Sequence, residues 1–224
     1  MSTSTLRRTA LVGGLAFTAT WIAGLLVAPA GTDVTSTGAE VVAAIRPHAG
    51  ATALQYGLTE LVPAVVLALT VGAVAAYAAR VGTARADERL VATARLLRRT
   101  AVTAGAISAF QGALGLALAL VAVPRGADGA AGLLFETLNR ADGVKMFVLA
   151  GMALLGVRLG RLGVLPAWLT PVAALLAVSV AASGVGYLLL VTALAAAAYV
   201  SLPLLLVWVT GSGLAVARRL GDGR

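Results

Sequence analysis

Residues 162–217 read LGVLPAWLTPVAALLAVSVAASGVGYLLLVTALAAAAYVSLPLLLVWVTGSGLAVA, 56 residues without one charged side chain. A helix crosses ~30 Å of hydrocarbon with about 20 apolar residues. This interval therefore holds two crossing helices and a turn, which the spacing predicts at Ser183-Gly184-Val185-Gly186. The two spans fall at 164–183 and 190–217. Pro203 in the second of them predicts a kink, because proline removes a backbone donor from the helix interior.

The same reading works outward toward the amino terminus. Arg158 and Arg161 close an apolar run that starts near Asp142, a span at 142–159. Before it come runs at 101–123, 51–79 and 10–30, each bounded by basic or polar residues. Six spans make one all-α, polytopic transmembrane bundle over residues 1–224. The composition agrees: 60% of the residues are hydrophobic, 12% are charged and the mean hydropathy is +0.96. A soluble domain would carry about 25% charged residues. Ordinary water-soluble and disordered classes are both excluded.

Topology follows from the basic residues, which cytoplasmic loops collect. With both termini inside, Arg7, Arg8, Arg80, Arg85, Arg89, Arg95, Arg98, Arg99, Arg158, Arg161, Arg218, Arg219 and Arg224 are cytoplasmic. Only Arg46, Arg125, Arg140 and Lys145 fall outside. Five or seven spans would break this alternation. The net charge of +8 is thus a topology signal, and the expected location is a bacterial plasma membrane. Arg85, Arg89, Arg95, Arg98 and Arg99 face anionic lipid headgroups in this reading. They are expected to extend the second and third helices beyond the bilayer. No aromatic residue is interleaved with them, so nucleic-acid binding is not expected. The first span has a competing reading: Ala28-Pro29-Ala30 spells a signal-peptidase site. The apolar run before it is longer than the ~7–15 residues of a signal h-region, which favours an uncleaved span.

The outer loops read as short surface helices. Thr37-x-x-Glu40 is a capping box ahead of Val41, Val42 and Ile45, with Pro47 ending the piece. Leu133, Leu134, Phe135 and Leu138 mark a similar piece in the second outer loop. Small residues should let helices approach closely: Gly112-x-x-Gly115, Ala195–Ala198, Gly211-x-Gly213 and, by spelling only, the dimer motif Gly156-x-x-x-Gly160. Trp168, Tyr187 and Tyr199 are expected as interface anchors, with Trp21 and Trp208 packed deeper.

The counts exclude much chemistry. There is no cysteine and one histidine, His48. Disulfides, thiolate zinc, iron–sulfur clusters and bis-His haem are ruled out within one chain. No P-loop, dinucleotide fingerprint or HExxH is present, and neither catalytic residues nor a cofactor or metal site are predicted. Polar residues within spans are the functional candidates, because burying them is costly. Glu60 leads, flanked by Gln55, Tyr56, Thr59 and Pro63, and Pro63 frees the carbonyl of Thr59. Asp142 and Lys145 are three residues apart on one face. Either Lys145 is drawn into the outer leaflet, with Asp142 and Glu60 as counter-ions, or Arg158 snorkels. Arg46, His48, Glu136 and Arg140 come from the same side, so an external polar cluster is expected. Gln111, mid-way along the third span, should hydrogen-bond across helices. The candidate ligand-binding set is Glu60, Asp142, Lys145, Tyr56, Gln111 and His48.

Three functions fit these residues. The leading one is a multipass protein without assignable catalysis: a scaffold, sensor or accessory subunit. The alternative is a small-molecule or ion transporter with an outward polar site around Glu60. The weaker alternative is an intramembrane enzyme using Glu60 and Asp142. The order of features resembles a family of six-helix bacterial membrane proteins of unknown function. The likeness is carried by Arg8-Thr9-Ala10-Leu11-Val12-Gly13-Gly14, Thr59-Glu60-Leu61, Leu165-Pro166-Ala167-Trp168-Leu169 and the Trp208 to Arg219 ending. The resemblance implies architecture and no catalytic residue.

Overall fold

The computed structural model describes residues 2–29 and 32–222. Among them the chain is helical throughout, with no strand. Six helices are long and apolar enough to cross a membrane. The elements are α1 (Thr3–Val27), α2 (Gly38–Ile45), α3 (Ala49–Tyr56), α4 (Val62–Ala84), α5 (Glu88–Ala117), α6 (Asp128–Arg161), α7 (Leu169–Leu189), α8 (Thr192–Ala195) and α9 (Ala198–Gly221). Ala30, the expected end of the first span, and Arg224 lie outside the described residues.

The long helices form a closed ring in chain order. α1 packs on α4, α4 on α5, α5 on α6, α6 on α7, α7 on α9, and α9 returns to α1. α4 and α9, the two neighbours of α1, also touch each other. Glycines permit the closure: a Cβ on Gly213 would strike the Ala10 carbonyl, and one on Gly14 would meet the Thr210 backbone at 3.2 Å. Thr210 donates to the Gly14 carbonyl at 2.8 Å and pairs with Thr18 at 2.7 Å. Arg7 lies against Gly221, so α1 begins where α9 ends. We call this the terminal end of the bundle.

The apolar core joins Leu6, Phe17, Leu97, Met152, Leu176 and Trp208, all fully or almost fully buried. Large apolar side chains also point outward, among them Leu26, Val65, Leu154 and Val178, each more than half exposed. Such a surface is costly in water and suited to hydrocarbon. Gly156 and Gly160 take up the Trp208 ring and Thr170. The apparent dimer motif is therefore spent on packing inside the chain.

Several boundaries differ from those predicted, each for a local reason. The helix that carries the fourth span begins well before Asp142, at Asp128. α6 is one helix of 34 residues, about 51 Å long at 1.5 Å per residue. The short outer helix expected around Leu133–Leu138 and the span after it are one continuous helix, since no proline interrupts residues 136–142. The expected turn at Ser183–Gly186 is helical. Gly184 lies against the Gly143 carbonyl, and a Cβ on Gly143 would sit 2.6 Å from the Leu188 nitrogen. These glycines serve a helix crossing, and the chain turns instead at Leu190, in the left-handed region with φ of 56°. α2 ends at Ile45, just before Arg46-Pro47 as expected, but Arg46 keeps the helical conformation at φ −50° and ψ −43°, so Pro47 tightens the path and does not divert it. Pro47 occupies the first turn of a 3₁₀ segment, Arg46–His48, where its missing N–H is harmless. His48, at φ −129° and ψ 22°, breaks the helical direction before α3.

α2 starts at its predicted capping box, in which Glu40 accepts from the Thr37 N–H at 2.7 Å and Thr37 Oγ1 accepts from the Glu40 N–H at 3.4 Å, and it packs on α6 where Gly38 meets Gly132. Val41, Val42, Leu118, Val123, Ala131 and Phe135 make a second apolar cluster there, at the far end of the bundle. At the terminal end the chain reverses within Arg85–Asp87. Ala86 is left-handed at φ 52°, and Asp87 caps α5 by accepting from the Leu90 N–H at 3.0 Å. Arg89, Arg95, Arg98 and Arg99 thus all belong to α5, all exposed, and none extends α4.

Candidate functional site: a buried charge cluster

Pro63 shapes the element that carries Glu60. Lacking an N–H, it makes no bond to the Thr59 carbonyl. The helix widens just before it into a π turn, Gly57–Leu61, where the Val62 N–H reaches back to the Gly57 carbonyl. Such turns re-aim side chains and recur at functional sites. Glu60 projects from this turn into the bundle and is 8% exposed. α5 comes close enough to meet it because Gly112 accommodates Leu61 and Gly115 accommodates the Tyr56 ring.

Lys145 lies midway along α6, 17 residues from Asp128 and 16 from Arg161. Of the two sequence readings, Lys145 is the group drawn inward. Its Nζ donates to Glu60 Oε2 at 2.9 Å and Oε1 at 3.1 Å, and pairs with Asp142 Oδ1 at 2.8 Å. Ser108 on α5 donates to Glu60 Oε2 at 2.7 Å. Gln111, one turn further along α5, donates through Nε2 to Asp142 Oδ1 at 3.1 Å and to the Leu138 carbonyl at 3.3 Å. The cluster thus ties the second, third and fourth spans together.

The cluster is closed. The side chains of Lys145 and Glu60 are 6% and 11% exposed, and that of Asp142 is 15% exposed, the most open of the three. It is also charge-imbalanced, with two carboxyls for one ammonium. Two polar atoms beside it are buried without a partner, Gln111 Oε1 and Asn139 Nδ2. Asn139 stands three residues before Asp142, on the same face of α6. Tyr56 and Tyr187 are near enough to feel the charges of Glu60 and Asp142.

The predicted external cluster therefore divides. Glu60, Asp142, Lys145 and Gln111 meet inside the bundle, with Tyr56 alongside. His48, Arg46, Glu136 and Arg140 do not join them. His48 is exposed in its 3₁₀ turn, whereas Arg46 reaches the Val123 carbonyl at 3.5 Å. Arg140 pairs with Glu136 at 2.8 Å and donates to the Leu188 carbonyl at 2.9 Å, serving the last turn of α7. Ser108, Asn139 and Tyr187 escaped the sequence reading as site residues. The i, i+3 pairs Ser108–Gln111 and Asn139–Asp142 were the available signal.

A groove of about 540 Å³ lies elsewhere, between α1 and α4, with Ser4, Arg8 and Val66 on its wall. Among the described residues no group of three or more His, Cys, Asp or Glu side chains could hold a metal. No family model, curated protein or solved structure matches the chain.

Proposed function

We propose that this chain is a multipass membrane protein with both termini cytoplasmic, and that it moves a small charged species through the buried cluster. The carrying observation is a Glu60–Lys145–Asp142 network enclosed mid-bundle, on helices whose outer faces are apolar. Ionisable groups inside a membrane are expensive, and they mark ion pathways and proton relays. The orientation rests on the basic residues. The terminal end gathers Arg7, Arg8 and the α5 arginines, while the far end has Arg46, Arg125 and Arg140 against four acids. The six long apolar helices support a multipass membrane location. In this reading the cluster is held in an occluded arrangement, without the open outward cavity expected around Glu60.

A second reading is favoured by the completeness of the Lys145 contacts: the cluster is a fixed tie, and the protein is a scaffold, sensor or accessory subunit. One experiment separates the two. The chain has no native cysteine, and Ser108→Cys is nearly isosteric beside Glu60. Transport by alternating access, the form proposed for the occluded cluster, opens the site to water in turn and requires the buried thiol to react, over time, with a small membrane-impermeant thiol reagent supplied to cells or to inverted vesicles. Complete protection from both sides defeats the transport proposal and leaves the fixed tie.

A further inference from the structure

The cluster holds one negative charge more than it can pair. Glu60 is engaged by Lys145 at both oxygens and by Ser108. Asp142 is engaged at Oδ1 alone, by Lys145 and Gln111. A mostly enclosed carboxylate, as Asp142 is with its side chain 15% exposed, is costly without full compensation and is relieved by neutralisation. The other groups facing it supply no second cation. From α3 and the π turn come Tyr56 and Glu60, from α5 the neutral Ser108 and Gln111, and from α7 Tyr187. On α6 itself, Arg140 is committed to Glu136 and the Leu188 carbonyl.

The orientation of Gln111 indicates what completes the site. Its Nε2 faces two acceptors, Asp142 Oδ1 and the Leu138 carbonyl. Exchanging N and O of the amide would set oxygen against oxygen twice, so the assignment is fixed by chemistry. Gln111 Oε1 is then a buried acceptor in want of a donor, on a fully buried side chain. An amide that donates to one oxygen of a carboxyl is placed to accept from the other once that oxygen carries hydrogen.

We propose that Asp142 is a proton-binding site: a proton delivered from water bonds to Oδ2, and the new O–H donates to Gln111 Oε1. The step forms one O–H bond and leaves Glu60 and Lys145 as a neutral ion pair. A metal cation fits less well, because the Lys145 ammonium already stands between the carboxylates, 2.8–2.9 Å from each. The inference deepens the transport reading by naming its ion, and it rests on that reading for the identity of the site.

The test is a pH-difference infrared spectrum of the full chain in lipid nanodiscs, where a protonated buried carboxyl gives a carbonyl band separate from that of carboxylates. The band is expected to appear on acidification, to shift with carboxyl-¹³C aspartate and not with carboxyl-¹³C glutamate, and to vanish in Asp142→Asn. Gln111→Leu should move it to the position of a free acid. The isotope shift separates aspartate from glutamate, and the displacement of the band in Gln111→Leu assigns it to Asp142 even if Asp142→Asn does not fold. A band that shifts with labelled glutamate, or no band at all, overturns the proposal. So does a spectrum that responds to sodium or potassium and not to pH. Proton binding with a fully protected Ser108→Cys would refute transport alone, whereas thiol labelling without an aspartate band would refute the proton site alone.

Discussion

Replacing Lys145 by Met keeps the length and apolar volume of the stem and removes the ammonium. Three contacts of 2.8–3.1 Å disappear, and Glu60 and Asp142 are left facing one another without a cation. Uncharged interhelical hydrogen bonds in membranes average about 0.6 kcal/mol, which would make the change minor. Breaking a buried ion pair by removing one partner costs about 3–5 kcal/mol. The second figure governs, because the groups left behind are ionised and enclosed. A loss of about 3–5 kcal/mol is therefore expected in reversible denaturant unfolding in mixed micelles at mildly alkaline pH. The penalty belongs to charge, so acidification, which neutralises the carboxyls, should shrink it. Adding Glu60→Gln and Asp142→Asn should recover most of the loss, since the triple variant buries no charge. A loss below about 1 kcal/mol, or a triple variant no more stable than Lys145→Met, would refute the account of the cluster as an enclosed ionic network.

Other expectations concern packing and the surface. Gly143→Ala should cost about 1–3 kcal/mol in the same unfolding assay, because its Cβ meets the backbones of Gly184 and Leu188. Gly151→Ala, with nothing within 4 Å, should stay within about 0.5 kcal/mol of the parent. Gly156→Ala should destabilise the chain through the Trp208 ring 2.6 Å from the added Cβ, while leaving cross-linked oligomer yields unchanged. A lost oligomer with an intact fold would restore the dimer motif. Asp33 accepts from Thr35 and from Thr192, and these bonds hold its carboxyl below the ordinary 3.8. A depressed value means the link between the α1–α2 segment and α8 is complete above the ordinary value and is lost as pH falls through the lower, folded one. Amide exchange around Thr192 should accelerate across that acidic window and be fast at every pH in Asp33→Ala.

The six spans were legible because each is a long apolar run, and hydrocarbon length leaves little choice. Lys145 was legible as well: Arg158 lay too close behind it for both charges to reach opposite surfaces at ease. Boundaries were obscured where one residue type serves two ends. Gly184 and Gly186 have the composition of a turn, but their lack of side chains is used against Gly143 and Ala195. Residues 136–142 look like a break between a short outer helix and the fourth span because most of them are polar. They are helical because the apolar face of Phe135 and the inward face of Asn139 and Asp142 lie on one continuous stripe of α6. The site residues that escaped notice were small or neutral. Ser108 and Asn139 acquire meaning only from what faces them, and that depends on the order of helices in the ring.

That ring has a temporal side. α1 is the least buried of the six long helices, and its berth is formed by α4 on one flank and α9 on the other. α9 is the later of these to leave the ribosome. Until then Gly14 and Thr18 have no Thr210 to meet, and one edge of α1 stands open to whatever the membrane offers. The bundle is sealed only when its last crossing arrives, like a barrel whose first stave is held by its final one.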